Sequence, residues 1–168
     1  MPRILALPIA VIVLGGCSQD VRNTGAAAET PSRFSDGEFI LYRLDGDRYP
    51  DVHGLDGDRD PNDERLLHGW HVLARCSIDS IDDRNRLYAA LEEGQADARR
   101  DPGRPVDCFR PRHAIRFVDD GTTTDRLICF ECRNIMIWTD GELTGGGATS
   151  ERPATVFDSY LADCAPSR

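Results

Sequence analysis

Residues 112–130, RHAIRFVDDGTTTDRLICF, give the clearest indication of the fold. Two apolar runs flank the Asp-Gly dipeptide at residues 120–121, a pattern that is typical of a tight β-hairpin. We therefore predict antiparallel strands over residues 112–118 and 124–138. The second run is apolar on both faces, which favours a central position in the sheet. Because strands rarely exceed about 10 residues, we expect a bend or bulge near residues 131–134.

Two further strands and a long loop precede this hairpin. Residues 38–44 are aliphatic and aromatic and are bounded by Asp-Gly pairs, which predicts a strand. Residues 66–78 alternate between apolar and polar side chains, which predicts a half-buried strand with Cys76 pointing inward. Between them, residues 45–65 contain few apolar side chains and form an acidic loop. Near the C-terminus, the glycines at 145–147 predict a flexible turn.

The main helix is predicted over residues 81–93. Ser80 stands three residues before Asp83, which resembles a capping box, and apolar residues recur at helical spacing until Gly94. Pro153 is a favourable residue to open a short C-terminal helix. Together these elements predict an α+β domain, with an antiparallel sheet of about four strands, one main helix packed on it and a short C-terminal helix.

The first 16 residues have the features of an export signal. A single charge at Arg3 precedes an apolar run over residues 4–14, which is too short for the roughly 20 residues of a membrane-spanning helix. Leu-Gly-Gly-Cys at residues 14–17 resembles the lipobox of bacterial lipoproteins. This resemblance implies cleavage before Cys17 and a diacylglyceryl group on its sulfur; ordinary secretion and a retained span are the alternatives. Ser18, in place of the aspartate typical of inner-membrane retention, indicates the outer membrane, facing the periplasm.

We divide the chain into a signal peptide (residues 1–16), a flexible tether (17–33) and a single domain (34–168), which is long enough for one core. The signal peptide carries one basic and no acidic residue. Its removal therefore lowers the basic residues from 20 to 19 against 29 acidic ones, and the net charge from −9 to −10. Such an acidic surface repels nucleic acid and anionic membrane lipids. The diacylglyceryl group on Cys17 would therefore provide the membrane attachment. An envelope protein is a candidate partner.

Five cysteines follow the lipidation candidate: Cys76, Cys108, Cys129, Cys132 and Cys164. Disulfides persist in exported proteins, and an odd number leaves at least one thiol outside any internal pair. The predicted hairpin places Cys108 near Cys132, and His113 near Cys129, within about two residues. Cys108, His113, Cys129 and Cys132 therefore form the main candidate site.

Three interpretations of this site compete. The first is a disulfide from Cys108 to Cys132 or Cys129, with the remaining cysteine buried and His113 a satisfied polar neighbour. The second is a zinc site with three cysteine ligands and one histidine. It requires a bulge, because a regular strand points Cys129 and Cys132 to opposite faces. The third is a thiol-redox pair, which is disfavoured because a strand and not a helix is predicted to follow the C-x-x-C motif.

The same segments carry a family resemblance. CFRPRH at residues 108–113 and ICFEC at residues 128–132, with LHGW at residues 67–70 before them, resemble a family of small uncharacterised bacterial proteins with CFxPRH and ICFxC motifs. The likeness covers residues 66–138. It implies a shared fold and no particular activity. The acidic loop and the two other cysteines of the domain lie outside the pattern.

The acidic loop contains a weaker candidate site. Asp56, Asp58 and Asp60 alternate like the first half of an EF-hand calcium loop. However, Pro61 occupies the position of the required glycine, and Leu67 that of the final glutamate. We therefore predict a solvated loop and no tight calcium site.

No Ser-His-Asp order, phosphate-binding glycine loop or pair of catalytic carboxylates stands out in the sequence, so we assign no catalytic residue. The expected function is that of a lipid-anchored envelope protein that acts as a non-enzymatic binding or structural module. A zinc-binding protein is the alternative, and a thiol-redox protein is the third hypothesis.

Overall fold

The computed structural model describes residues 37–48, 64–103 and 108–164. The predicted signal peptide, the lipidation candidate Cys17 and the predicted tether lie outside these ranges. Most of the acidic loop, with the three aspartates of the calcium candidate, also lies outside them. In the described part of the chain, neither helix combines the length and the apolar character needed to cross a membrane.

Seven strands and two helices lie within the described residues. In chain order they are β1 (Glu38–Leu44), β2 (Leu66–Leu67), β3 (Trp70–Ser77), α1 (Ile81–Arg100), β4 (His113–Asp119), β5 (Thr122–Cys129), β6 (Asn134–Thr139), β7 (Glu142–Ala148) and α2 (Ala154–Ala162). The strands form one antiparallel sheet in the order β2-β3-β1-β4-β5-β6-β7. This sheet curls into a half-barrel.

The predicted sheet of about four strands is therefore wrong, because two predicted strands each reverse direction. Residues 66–78 form the β2–β3 hairpin, which turns at His68 and Gly69 with φ values of 48° and 86°. Residues 124–138 likewise divide into β5 and β6, and the turn between them ends at Arg133 with φ 56°. The bulge expected here is thus a complete reversal of the chain.

The third unpredicted strand is β7, which contains the glycines at 145–147 that predicted a flexible turn. It pairs with β6 over nearly its whole length. A Cβ atom on Gly146 would lie 2.8 Å from the carbonyl oxygen of Ile135, which is closer than real Cβ contacts. The glycine here permits a close approach between backbones, which is one of the roles of glycine within strands.

The hairpin predicted around residues 120–121 is confirmed. His113 of β4 pairs with Ile128 of β5, and the register continues unbroken to Asp119 and Thr122. Both turn residues have positive φ, 45° and 78°, as a type I′ turn requires. This register fixes the ends of β4 and β5 beside each other.

Helix α1 begins where the sequence predicts but ends later. The Ser80 hydroxyl accepts a hydrogen bond from the Asp83 N–H at 3.3 Å, which confirms the predicted N-cap. The helix continues to Arg100, six residues beyond the predicted stop at Gly94. A Cβ atom on Gly94 would lie 2.5 Å from Pro153 Cγ, so this glycine allows close packing against the segment before α2.

Each face of the curled sheet buries its own core. The outer face packs against α1 and α2, and its buried members include Phe39, Leu41, Ile115, Ile128, Ile135, Leu87, Leu91, Phe157 and Leu161. The inner face buries Ile40, Tyr42, Leu44, Leu67, Trp70, Val72, Ala114 and Leu127. His68 of the β2–β3 turn stacks on Trp138 of β6, with ring centroids 4.1 Å apart. Since these strands are far apart in the sheet order, the contact shows that the sheet curls toward the inner face.

A disulfide between Cys76 and Cys164 connects β3 to the end of α2, with Cα atoms 5.5 Å apart. The sequence predicted disulfides in this chain but named no partner for Cys76 or Cys164, and the structure confirms cysteine pairs at disulfide distance. The bridge joins the sheet to the helix that packs on its outer face.

Candidate functional site: a cleft beside a three-cysteine cluster

The two sequence motifs meet at one end of the β4–β5 hairpin. Residues 108–113 lead into β4, and residues 128–132 leave β5 and enter the next turn. The Arg110 N–H donates a hydrogen bond to Cys132 Sγ at 3.4 Å. The motifs are therefore adjacent in space, as the predicted hairpin requires.

Three of the four candidate residues form a cluster. Cys129 and Cys132 are joined by a disulfide, with Cα atoms 5.1 Å apart. Cys108 is a free, half-buried thiol whose Sγ lies 2.9 Å from Cys132 Sγ. The predicted disulfide of Cys108 is thus not the pairing found. The chain reversal at residues 130–133 brings the two C-x-x-C cysteines to each other, whereas a continuous strand would have pointed them apart.

The fourth candidate, His113, lies on the other face of the sheet. It pairs with Ile128, the strand neighbour of Cys129, so side-chain alternation separates the histidine from this cysteine. The His113 ring packs against Phe130 and Phe157, with centroid distances of 5.1 and 5.8 Å. Within the described residues, no group of three or more His, Cys, Asp or Glu side chains is arranged to hold a metal ion. The four candidate zinc ligands therefore do not converge.

A cleft of about 430 Å³ opens beside His113, between the start of β4, the end of β1, the C-x-x-C turn and α2. This volume lies in the range of small-molecule sites, roughly 300–1,000 Å³. Its other lining residues are the bases Arg43, Arg110 and Arg112, the acids Glu131 and Asp158, and the apolar residues Leu44, Leu73, Phe130 and Ala154. Both sequence motifs contribute to this lining.

Basic side chains outnumber acidic ones around the cleft, although the whole chain has a net charge of −9. Arg112 lies 2.9 Å from an oxygen of Asp47 and 3.9 Å from one of Glu131. The Arg112 side chain is 49% exposed and both carboxylates are more exposed, so water weakens these ion pairs. An anionic ligand could replace them at a small cost in free energy.

His113 is hydrogen-bonded to Asp158, with 2.9 Å between Nε2 and Oδ1. Burial lowers the pKa of His113, and the hydrogen bond and charge of Asp158 only partly offset this effect. The ring is therefore neutral at pH 7, and its Nε2–H donates to the carboxylate. The buried Nδ1 is then an acceptor with no hydrogen-bond partner in the described part of the chain.

A second polar cluster lies on the inner face and is structural. Asp125, which is 2% exposed, accepts two hydrogen bonds from Arg116 at 2.7 and 2.8 Å and one from His68 at 2.7 Å. Burial alone would raise the pKa of Asp125, but the hydrogen bonds from Arg116 and His68 outweigh burial and lower it. These side chains satisfy one another's hydrogen bonds. We therefore assign the cluster a structural role, which is to stabilise the curl of the sheet.

Comparisons with protein families, curated proteins and solved structures found no match. The function must therefore be inferred from the cleft and the cysteine cluster. The sequence motifs indicate Cys108, Cys129, Cys132 and His113 as site residues, but they do not indicate Arg43 or Asp158. Neither of these two belongs to a motif, so only the folded chain shows that they line the same cleft.

Proposed function

We propose that the chain is a lipid-anchored envelope protein whose domain binds a small carboxylate-bearing molecule in this cleft. The observation that carries the proposal is the combination of three arginines with apolar side chains around one cleft of ligand size. Guanidinium groups bind carboxylates through charge-assisted and often bidentate hydrogen bonds. This is a binding function, and it assigns no catalytic residue.

The apolar part of the cleft supports a ligand that also carries a hydrocarbon group. Leu73 is 46% exposed, which is unusual among the large apolar side chains described, and it lines the same cleft as the buried Leu44 and Phe130. A ligand that covered Leu73 would remove apolar surface from water while its carboxylate bound the arginines. Aromatic carboxylates and N-acetylated apolar amino acids fit this description.

Calorimetric titration with matched probes tests the proposal. Benzoate should bind more tightly than benzamide, which has nearly the same shape but no charge. Arg110→Gln should weaken benzoate binding by about 10- to 150-fold, because one charge-assisted hydrogen bond contributes roughly 1.5–3 kcal/mol. Arg99→Gln on α1, which does not line the cleft, is the charge-matched control and should leave the affinity unchanged.

Two results would contradict the proposal. One is the absence of binding by aliphatic carboxylates, aromatic carboxylates and N-acetylated amino acids alike. The other is an equal loss of affinity in Arg110→Gln and Arg99→Gln, since binding would then depend on net charge and not on the cleft.

The proposed envelope location rests on the Leu-Gly-Gly-Cys motif at residues 14–17. Replacing Cys17 with Ser should abolish incorporation of labelled palmitate and release the protein from outer-membrane fractions. Cys108→Ser, which removes the free thiol of the three-cysteine cluster, should leave both properties unchanged. A wild-type protein that takes up no palmitate, with a Cys17→Ser variant that stays on the membrane, would disprove the lipid anchor.

A further inference from the structure

The three-cysteine cluster takes no part in the proposed binding function. It holds a free thiol and a disulfide side by side, with 2.9 Å between Cys108 Sγ and Cys132 Sγ. We propose that Cys108, Cys129 and Cys132 form a thiol–disulfide exchange site in which one disulfide alternates between Cys129–Cys132 and Cys108–Cys132. This proposal does not rest on ligand binding in the cleft.

The exchange is balanced within the protein. Cys108 loses its proton to solvent, and the resulting thiolate attacks Cys132 Sγ. The Cys108–Cys132 bond forms as the Cys129–Cys132 bond breaks. The bonding electron pair leaves with Cys129 Sγ, which then takes up a proton from solvent. One thiol and one disulfide are present before and after, so the reaction consumes neither oxidant nor reductant.

Backbone donors around the cluster favour this direction of attack. The Cys132 N–H points to Cys129 Sγ at 3.0 Å, where it stabilises the negative charge that develops on the leaving sulfur. The Arg110 N–H contacts Cys132 Sγ at 3.4 Å. This contact holds the segment that contains Cys108 beside Cys132, whose sulfur is shared by both disulfides of the exchange. The turn and the neighbouring segment thus keep all three sulfur atoms within a short distance.

The exchange would change where the free thiol is found. Cys108 is half-buried and can be reached from solvent, whereas Cys129 is only 1% exposed. One state therefore offers a thiol to external disulfides of small molecules or proteins, and the other state hides the thiol in the core. The chemical class of partner is a disulfide that reacts with the Cys108 thiolate.

Disulfide mapping of the full-length wild-type chain tests the proposal. The protein is incubated at pH 8 without reductant, acidified at intervals to stop thiolate chemistry, and digested with pepsin before mass spectrometry of unreduced peptides. We expect a free Cys108 peptide together with a Cys108–Cys132 cross-linked peptide, in a ratio that becomes constant within minutes to hours. If the cross-linked peptide never forms in the wild type, the proposal is wrong, whatever the variants show.

Cysteine variants test whether Cys132 is the sulfur shared by the two disulfides. Cys129→Ser should yield only the Cys108–Cys132 bridge in the cluster, and Cys132→Ser should yield no bridge there and two free thiols. The double variant Cys76→Ser/Cys164→Ser is the control, because it removes the distant disulfide and should leave the ratio in the cluster unchanged. A Cys132→Ser variant in which Cys108 is bridged to Cys129 would show that Cys132 is not the required intermediate and would overturn the scheme.

Discussion

His113 is held neutral by its surroundings although a carboxylate is hydrogen-bonded to it. Phe130 and Phe157 shield the ring from water, and only 6% of the residue is exposed. The Asp158 side chain is 61% exposed, so solvent screens its charge. Desolvation therefore outweighs the ion pair, and the pKa of His113 lies below its usual value of 6.5.

This lowered pKa predicts a pH-dependent stability. Below about pH 6.5 the unfolded chain binds a proton at this histidine more readily than the folded protein does. The contribution of His113 is thus fully present above pH 6.5 and is lost as the pH falls from 6.5 toward the lowered pKa. Urea unfolding between pH 7.5 and 5 should show a smaller decrease in the free energy of unfolding for His113→Gln than for wild type.

His71→Gln serves as the control for this measurement, because it removes a histidine that does not line the cleft. It should retain the wild-type difference between pH 7.5 and 5. If His113→Gln and wild type lose the same free energy of unfolding over this range, the ring is not protected from protonation in the folded protein.

The sequence indicates the site only where the site residues lie in short motifs. The hairpin register correctly placed Cys108 beside Cys132, because pairing in a tight hairpin follows from the turn. Asp158 follows His113 by 45 residues, and Arg43 belongs to the first strand. Their convergence depends on how β1 and α2 pack on the hairpin, which no local pattern indicates.

Turns determine how many strands the chain forms. The Asp-Gly pair at residues 120–121 predicted one hairpin correctly, and a second Asp-Gly pair at residues 140–141 marks the β6–β7 turn, with φ values of 49° and 83°. The glycines at residues 145–147 that follow this pair also predict a turn, but they lie inside β7. The turns at residues 68–69 and 130–133 lack the dipeptide and interrupt runs that read as continuous strands.

The close approach of β6 and β7 predicts unequal effects at neighbouring glycines. Gly146→Ala should lower the free energy of unfolding by about 1–3 kcal/mol, because the new Cβ would meet the Ile135 carbonyl at 2.8 Å and force the strands apart. Gly145→Ala is the matched control. With no atom within 4 Å of its Cβ position, it should change stability by less than about 0.5 kcal/mol.

Chemical denaturation of the two alanine variants checks this prediction. Equal stabilities would mean that β7 does not pair with β6 in the register described. Destabilisation by Gly145→Ala alone would indicate a register shifted by one residue, since a one-residue shift exchanges the environments of neighbouring positions.

The Cys76–Cys164 disulfide closes a long loop of the chain. The two cysteines are 88 residues apart in sequence, so the bridge strongly restricts the unfolded chain. Replacing both with Ala should lower the free energy of unfolding by about 2–4 kcal/mol. Denaturation of oxidised wild type and variant measures the difference. Added reductant should destabilise the wild type more than the variant, and equal sensitivity to reductant would contradict the bridge.

The two faces of the sheet have different roles in this protein. On the inner face, the hydrogen bond between His68 and Asp125 and the stacking of His68 on Trp138 stabilise the curl. On the outer face, the sheet and α2 form a cleft that is lined by basic and apolar side chains. A second depression on the outer face, lined by residues that include Tyr88, Phe117 and Arg126, offers an internal comparison. Ligand binding at the first cleft and not at the second is what the proposed function requires.

Backbone amide NMR spectra recorded during titration with benzoate locate the bound ligand directly. We expect saturable shifts of the His113, Phe130 and Ala154 amides, which surround the cleft, and unchanged positions for Tyr88 and Phe117. Arg110→Gln should reduce the shifts at equal benzoate concentration. Shifts centred on Tyr88 and Phe117, or spread over the surface without saturation, would contradict carboxylate binding in the cleft.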